Sequence, residues 1–596
     1  MTERDLWLLL DQVRCGELSR RRFVERMLGL GVTVSMSGIL LMQAGIASAE
    51  PARYEPTRRG GGGPLRMLRT DAPTLLNPHF ATGSKDVFGS RIFYEPLVQW
   101  DVDANLEAVL AAEIPSRENG GVAPDGRSVV WKLKRGVTWH DGEPFTADDV
   151  IFNWQYSIDP AAATVTIGSY RNLKMEKIDS HTVRVVFGAP SPFWPGQYSQ
   201  VMLVPRHLFA PYSGAKSRDA PNNNRPVGTG AYTYVDFKPG DLVRAALNPR
   251  YHEANRPHFD ALELKGGGDD ASAARAVLQT GEYDYAGPLV VEDEVLKRIE
   301  TGGKGRVEIL NASATSAIYL NFADPGTEVD GERSNPKTRH PVFSDGRVRR
   351  ALGHLVDRQS IATHIFGRLG VATTNYINVP VRYRSTHTSA EFNLAKAVAL
   401  LEEAGWKTGL GGVREKDGKR LKLLFQGAVN SLTQKVQTVF KQAAQRAGIE
   451  VELKAVLSSI FFSSDVGNPD TNTKFYADIQ TYNWTNDSPD PEYLMRCFVS
   501  WEACSKANKW LGQNLVRWQN TDFDALFRAA EVELDPVKRA ALFIQMNDLV
   551  VGDGYVLPII ARTSVRAMNK RLVAPLSGWQ TDMASLPHWY SKGGGQ

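Results

Sequence analysis

The sequence predicts an α/β protein, and three observations carry that reading. Val129, Trp131 and Leu133 alternate with Val130, Lys132 and Lys134, the period of a half-buried strand. Residues 431–447 instead repeat their apolar positions at helical spacing, and an alternating run over 449–456 follows at once. Segments of the two periods are mixed along the whole chain, as in proteins that pack helices against sheets. The chain has 596 residues, of which 42% are hydrophobic and 23% charged, so it contains several domains and is not collagen-like, coiled-coil or largely disordered. Its net charge of +4 is small and interspersed, which leaves no expectation of a nucleic-acid partner.

Taken in order, the chain opens on an address. Ser19-Arg20-Arg21-Arg22-Phe23-Val24 precedes an uncharged, glycine-diluted apolar run from Met27, which ends at Ala47-Ser48-Ala49. A basic segment, a modest apolar core and a small-x-small end make residues 1–49 a signal peptide cleaved after Ala49. The paired Arg20 and Arg21 resemble a twin-arginine export signal, with a retained membrane anchor as the alternative. Residues 50–63, rich in Gly and without periodicity, read as a flexible linker.

In the body, Pro124-Asp125-Gly126 makes a turn into the strand at 129–134, and Asp141-Gly142 makes a second. Thr146-Ala147-Asp148-Asp149 has capping-box spacing for a helix reaching Ile158, and 182–187 alternates as a strand. Helices are predicted over 271–280 (capped by Asp270, stopped by Gly281), 347–355, 395–404 and 431–447, the last two closed by Gly405 and Gly448. Asp535-Pro536 opens a helix to about Leu549.

No familiar catalytic motif stands in the chain. There is no G-x-x-x-x-G-K-S/T, H-E-x-x-H or G-x-S-x-G, and Gly266-Gly267-Gly268-Asp269 reads as a loop rather than a phosphate cradle. His252 and His258 share no helical face, so no metal or cofactor site is expected.

Several ordered blocks then point to a family. They are Tyr94-Glu95-Pro96-Leu97, the run from Val129 through Trp139-His140-Asp141-Gly142 to Val150, and Pro226-Val227-Gly228-Thr229-Gly230-Ala231-Tyr232. They continue through Leu278-Gln279-Thr280-Gly281, 343–352, Ala404-Gly405-Trp406 and 520–526. Together they resemble the bacterial extracellular solute-binding protein family 5, the dipeptide- and oligopeptide-type periplasmic binding proteins of ABC importers. The resemblance implies a type II periplasmic-binding-protein fold, with two hinged lobes and an extra domain inserted in the first. It places lobe I at 64–83, 205–310 and 558–596, the inserted domain at 84–204 and lobe II at 311–557. It implies no catalysis and no cofactor, but a monomeric periplasmic receptor that traps a peptide or small solute between its lobes and delivers it to a membrane permease. A cofactor-bearing enzyme exported folded, or a binder of oligosaccharide, opine or metal complex, is the alternative.

Peptide-binding members meet the ligand's ammonium with an Asp three residues after a Trp. Trp484-Thr485-Asn486-Asp487 has that spacing, so Asp487 is the expected amine anchor, with capping of the turn after it as the other reading. Trp484, Tyr482 and Asn483 are weaker ligand-binding candidates. Some members carry an Arg six residues before that Asp. Here the position is Thr481, so the expected cation for a peptide carboxylate is missing from it. Related binders also carry a disulfide in the following stretch. Cys15 falls in the leader, so the resemblance implies that Cys497 and Cys504 pair.

Overall fold

Two long strands set the architecture. Gly305–Leu320 and Val556–Asn569 have 16 and 14 residues, against the ~5–6 usual for a strand, and pair antiparallel along most of that length. On one side the sheet continues through Ile479–Asn486, Lys422–Ala428 and Glu450–Val456. On the other it continues through Tyr285–Leu289, Pro64–Arg69, Ala261–Gly266, Leu242–Leu247 and Tyr232–Lys238. Gly370–Ala372 pairs off this path as the eleventh strand.

This computed structural model describes residues 54–596 except 82, 102–103, 197, 464–466, 487, 511 and 594–596, and before them only Leu9, Gln12 and Phe23, all three helical. The body begins at Arg58 and is one compact unit; the first 57 residues form another. Arg20, Arg21, Cys15 and the cleavage point after Ala49 lie outside the described residues.

Four cores hang on this frame, the smallest of them gathered around Ala274, Leu278, Leu296 and Val565. One is built from residues between Ala317 and Ile560 and fills the second lobe. Another joins Leu65 and Phe93 to Leu264 and Trp589 and fills the first. A third, around Trp131, Val183 and Val185, belongs to a separate three-stranded sheet of Ser128–Lys132, Thr182–Phe187 and Leu173–Asp179. The two long strands run from one core to the other, from Leu310 and Met568 to Ala317 and Ile560, which makes them the hinge. Their ladder slips between Asn311 and Ala314, opposite Thr563 and Arg562, and again between Ser316 and Ala317. Such bulges bend and over-twist a strand locally.

Most local readings hold. Thr146 accepts from the helix backbone while Asp149 reaches back to the Thr146 N–H, and the helix runs Ala147–Ile158. The long amphipathic helix is Ser431–Arg446, and Glu450–Val456 follows as a strand. The helix near 271 begins one residue early: Asp269, not Asp270, accepts from Ser272 N, and the last turn widens into a π-turn over Ala276–Thr280 before Gly281. The glycine run expected as a free linker is instead tied to the body at its end. Gly61 and Gly63 N–H donate to the two oxygens of Asp260 at 2.8 and 2.9 Å, and the Arg59 guanidinium donates to the carbonyls of Tyr251 and Glu253. Both glycines have positive φ, 89° and 70°, which turns their N–H groups onto one carboxylate.

The family's most specific blocks converge on a buried junction rather than on the cleft. Gly228 passes so close to the preceding segment that a Cβ there would sit 1.9 Å from Phe93 O. His140 is wedged beside it, accepting at Nδ1 from Gly228 N (3.1 Å) and donating from Nε2 to Gly230 O (3.0 Å). The clash is with backbone, so it cannot be relieved by a rotamer change. Gly228→Ala is therefore expected to lose more than about 2 kcal/mol of stability, read as a lower urea midpoint. A midpoint equal to that of the unmodified protein would contradict this account.

Candidate functional site

The hinge strands place a cavity of about 820 Å³ between the lobes, within the ~300–1,000 Å³ usual for small-solute sites. Lobe I contributes Arg69, Phe88, Arg566 and Asp582; lobe II contributes Ser316, Asn430, Thr433, Tyr482 and Asn483; Arg562 and Thr563 come from the hinge strand itself. Lys435 Nζ meets Glu292 across the lobes at 2.6 Å. A second groove, about 1590 Å³, runs between the three-stranded domain and lobe II, lined by Phe193, Ser488 and Tyr493 among others. The two share Thr485, so the strand Ile479–Asn486 borders both.

That strand carries the candidates from the sequence, and its alternation sorts them. Asn483 is exposed in the cavity and accepts from Arg562 Nη1 at 3.1 Å. Tyr482 lines the cavity with one edge but is otherwise core: it stacks on Tyr319 with ring centroids 4.1 Å apart and planes 10° from parallel. Trp484 does not line the cavity. It packs against the lobe II core, 6.2 Å from the rings of both Tyr482 and Tyr493. Thr481 is buried and donates to Ala317 O at 2.9 Å, a role in the sheet. Asp487 lies outside the described residues.

Two groups that the sequence reading did not single out govern the electrostatics. Arg566 and Asp582 form a buried two-point ion pair at 2.8 and 3.0 Å, to which the Tyr285 hydroxyl also donates. Burial alone would lower the Arg566 pKa, but the Asp582 charge outweighs it and raises it above the ordinary value. For Arg562 burial acts alone and lowers the pKa. Arg562, Ser564 and Arg566 share one face of a strand whose other positions are mostly apolar. Two arginines four apart in such a run are the signal that could have exposed them, because Arg is seldom buried without a partner.

The Cys497–Cys504 bridge expected from the resemblance is not formed here. Both are buried free thiols, and each is satisfied by a different carbonyl: Cys497 Sγ donates to Tyr493 O at 3.4 Å and Cys504 Sγ to Gly512 O at 3.0 Å. Among the described residues no group of three or more His, Cys, Asp or Glu is placed to hold a metal ion. His252 is held by Glu95 at 2.8 Å, away from His258.

The comparisons decide the identity. Residues 106–503 match the model of the bacterial extracellular solute-binding proteins, family 5. The chain belongs to that family. It is 25% identical over 561 residues to the oligopeptide-binding protein AppA of Bacillus subtilis, covering 91% of this chain and 94% of AppA. It is 22% identical over 523 residues to the glutathione-binding protein GsiB of Escherichia coli O157:H7, covering 86% and 92%. Among solved structures, B. subtilis AppA in complex with a nonapeptide superposes with a TM-score of 0.70 at 22% identity, covering 90% of this chain and 100% of that one. NikZ of Campylobacter jejuni with Ni(L-His) gives 0.71 at 20%, covering 88% and 99%. The family 5 chain therefore has the type II two-lobed fold and is a solute-binding protein that serves an ABC transporter. Members of the family are binding proteins. Among the described residues no helix is long and apolar enough to cross a membrane.

Proposed function

We propose that this family 5 protein is a periplasmic receptor, exported through its twin-arginine leader and cleaved after Ala49, that captures peptides or a chemically similar solute as a monomer. It acts by binding and not by catalysis, and it follows the lobe division set out from the sequence. The observation that carries the reading is the interlobe cavity straddled by both hinge strands, lined by apolar and polar side chains together. A solute there touches both lobes, so its binding energy favours the closed state. The kinship to AppA, an oligopeptide binder, supports a peptide, and the adjoining groove gives an extended ligand room beyond the cavity.

Asp487 anchors the ligand's amine in this reading; Asn483 and Tyr482 line the cavity, and Trp484 braces their strand from the core. An ammonium held in a closed, dry cleft needs a carboxylate. Asp487→Asn should then weaken peptide binding by roughly 2–5 kcal/mol, the scale for a buried charge that loses its partner. Calorimetry with a pool of short peptides tests it. Unchanged affinity in the variant removes Asp487 from the site, and peptides that fail to bind the unmodified protein remove the peptide reading.

A further inference from the structure

The cavity holds three arginines, and their partners differ. Arg69 is matched by Asp71 at 2.7 Å, and Arg566 by Asp582. Arg562 has no carboxylate among the described residues; Nη1 donates to Asn483 Oδ1 at 3.1 Å, and the guanidinium carbon lies 5.7 Å from the centre of the Phe366 ring. A guanidinium carries five N–H donors in a planar fork, so the bond to Asn483 leaves most of them unspent. Taking such a group out of water without an opposite charge is costly.

We propose that Arg562 is the anion receptor of the cleft, and that the solute this protein carries bears a carboxylate which docks on that guanidinium. The inference rests on the cleft being the solute site, as argued above, and adds the ligand's charge. A carboxylate fits better than a phosphate: one guanidinium offers a single positive charge and a two-point donor edge, which one carboxylate matches in charge and shape. This also answers the missing cation at position 481. The strand Ile479–Asn486 has no cation, and the hinge strand supplies one against it.

The position gives the contact a second consequence. Arg562 pairs in register with Ala314, at the slip in the ladder that begins after Asn311. Its side chain is bound to Asn483 on the lobe II strand, while Ser564 and Arg566 of the same strand reach lobe I through Asp582. An anion arriving here is held at the bend between the lobes. Its charge offsets the Arg562 cation most strongly when the cleft is shut around both and water is excluded, so it adds affinity for the closed state in particular.

The test uses the exported full-length protein purified without denaturation. Solute released from it on unfolding is identified and quantified by mass spectrometry for the unmodified protein, Arg562→Gln and Arg562→Lys. The unmodified protein should release a carboxylate-bearing solute. Arg562→Gln should retain about thirtyfold less or lower still, the loss expected when a buried charge contact is removed, and Arg562→Lys should fall between. Melting of the emptied proteins keeps the comparison fair: emptied Arg562→Gln should melt close to the unmodified protein, since a glutamine amide can still donate to Asn483. A released solute without a carboxylate, or equal retention by Arg562→Gln, overturns the assignment. A carboxylated solute that is not a peptide leaves the anion receptor standing and overturns only the peptide reading.

Discussion

Replacing Glu95 by alanine is expected to remove about 3–5 kcal/mol of folding stability, the scale for breaking a buried charge cluster by deleting one partner. Glu95 is almost wholly buried in the Tyr94-Glu95-Pro96-Leu97 block. His252 Nε2 lies 2.8 Å from its Oε2, Thr229 Oγ1 donates to the same oxygen at 2.9 Å, and Tyr251 Oη donates to Oε1 at 2.9 Å. Burial pushes the Glu95 carboxyl pKa up, but His252, the nearby Arg91 charge and Thr229 outweigh it and hold it below the ordinary carboxylate value. Without the carboxylate, Arg91 is left buried with less opposing charge, and the Tyr251 and Thr229 hydroxyls lose their acceptor. Glu95→Gln keeps an acceptor and the volume, so it should cost less than Glu95→Ala. Urea unfolding of both variants measures this; equal midpoints for Glu95→Ala and the unmodified protein would show that the cluster does not hold the junction together.

Mild acid is the second large effect. His79 and His140 are both pulled down from 6.5 to about 4, chiefly by burial. Geometry gives the same direction. Asn153 Nδ2 donates to the Asp149 and Val204 carbonyls, so its Oδ1 accepts from His79 Nε2–H, and His79 Nδ1 is left to accept from the Thr166 and Ser157 hydroxyls. His140 Nδ1 already accepts from Gly228 N. Neither ring can take a second proton without losing such a bond. Between pH 6.5 and 4 the unfolded chain therefore binds protons that the folded chain refuses. Stability from these two groups is fully present above about 6.5 and is lost as pH falls toward 4, by up to about 3 kcal/mol for each. Asp149 and Glu492, raised mainly by burial, oppose this in part. Thermal melting from pH 7 to 4 should show a steady fall that His79→Asn shallows; a flat profile would contradict the neutral buried pair.

How much of this was legible in the sequence follows from the range of each interaction. Thr146 and Asp149, Asp535 before Pro536, and Gly281, Gly405 and Gly448 were readable, because caps and stops act within a turn of the chain. The Asp269 cap was misassigned by one residue because two adjacent aspartates have the same capping chemistry and only the register of the first turn separates them. Glu95, His140 and Gly228 were legible as parts of motifs but not in their task. His140 and Gly228 meet across 88 residues, and Glu95 and His252 across 157, and the spacing of a motif does not show that its residues pack on those of another.

The sequence by itself determined the class, most of the helices and strands and the family, because each of these is written in local periodicity, local capping or ordered blocks. It also pointed to the strand that borders the cleft. Only the tertiary structure decided which side chains of that strand face the solute and which serve the core, turning Asn483 toward the cavity and Trp484 into lobe II. It alone set Arg562 across from Asn483, from a strand some eighty residues later in the chain. The physical reason is that charge balance in a cleft is a property of the assembled lobes: an arginine in an apolar strand looks the same in sequence whether an aspartate meets it, as Asp582 meets Arg566, or an asparagine, as Asn483 meets Arg562.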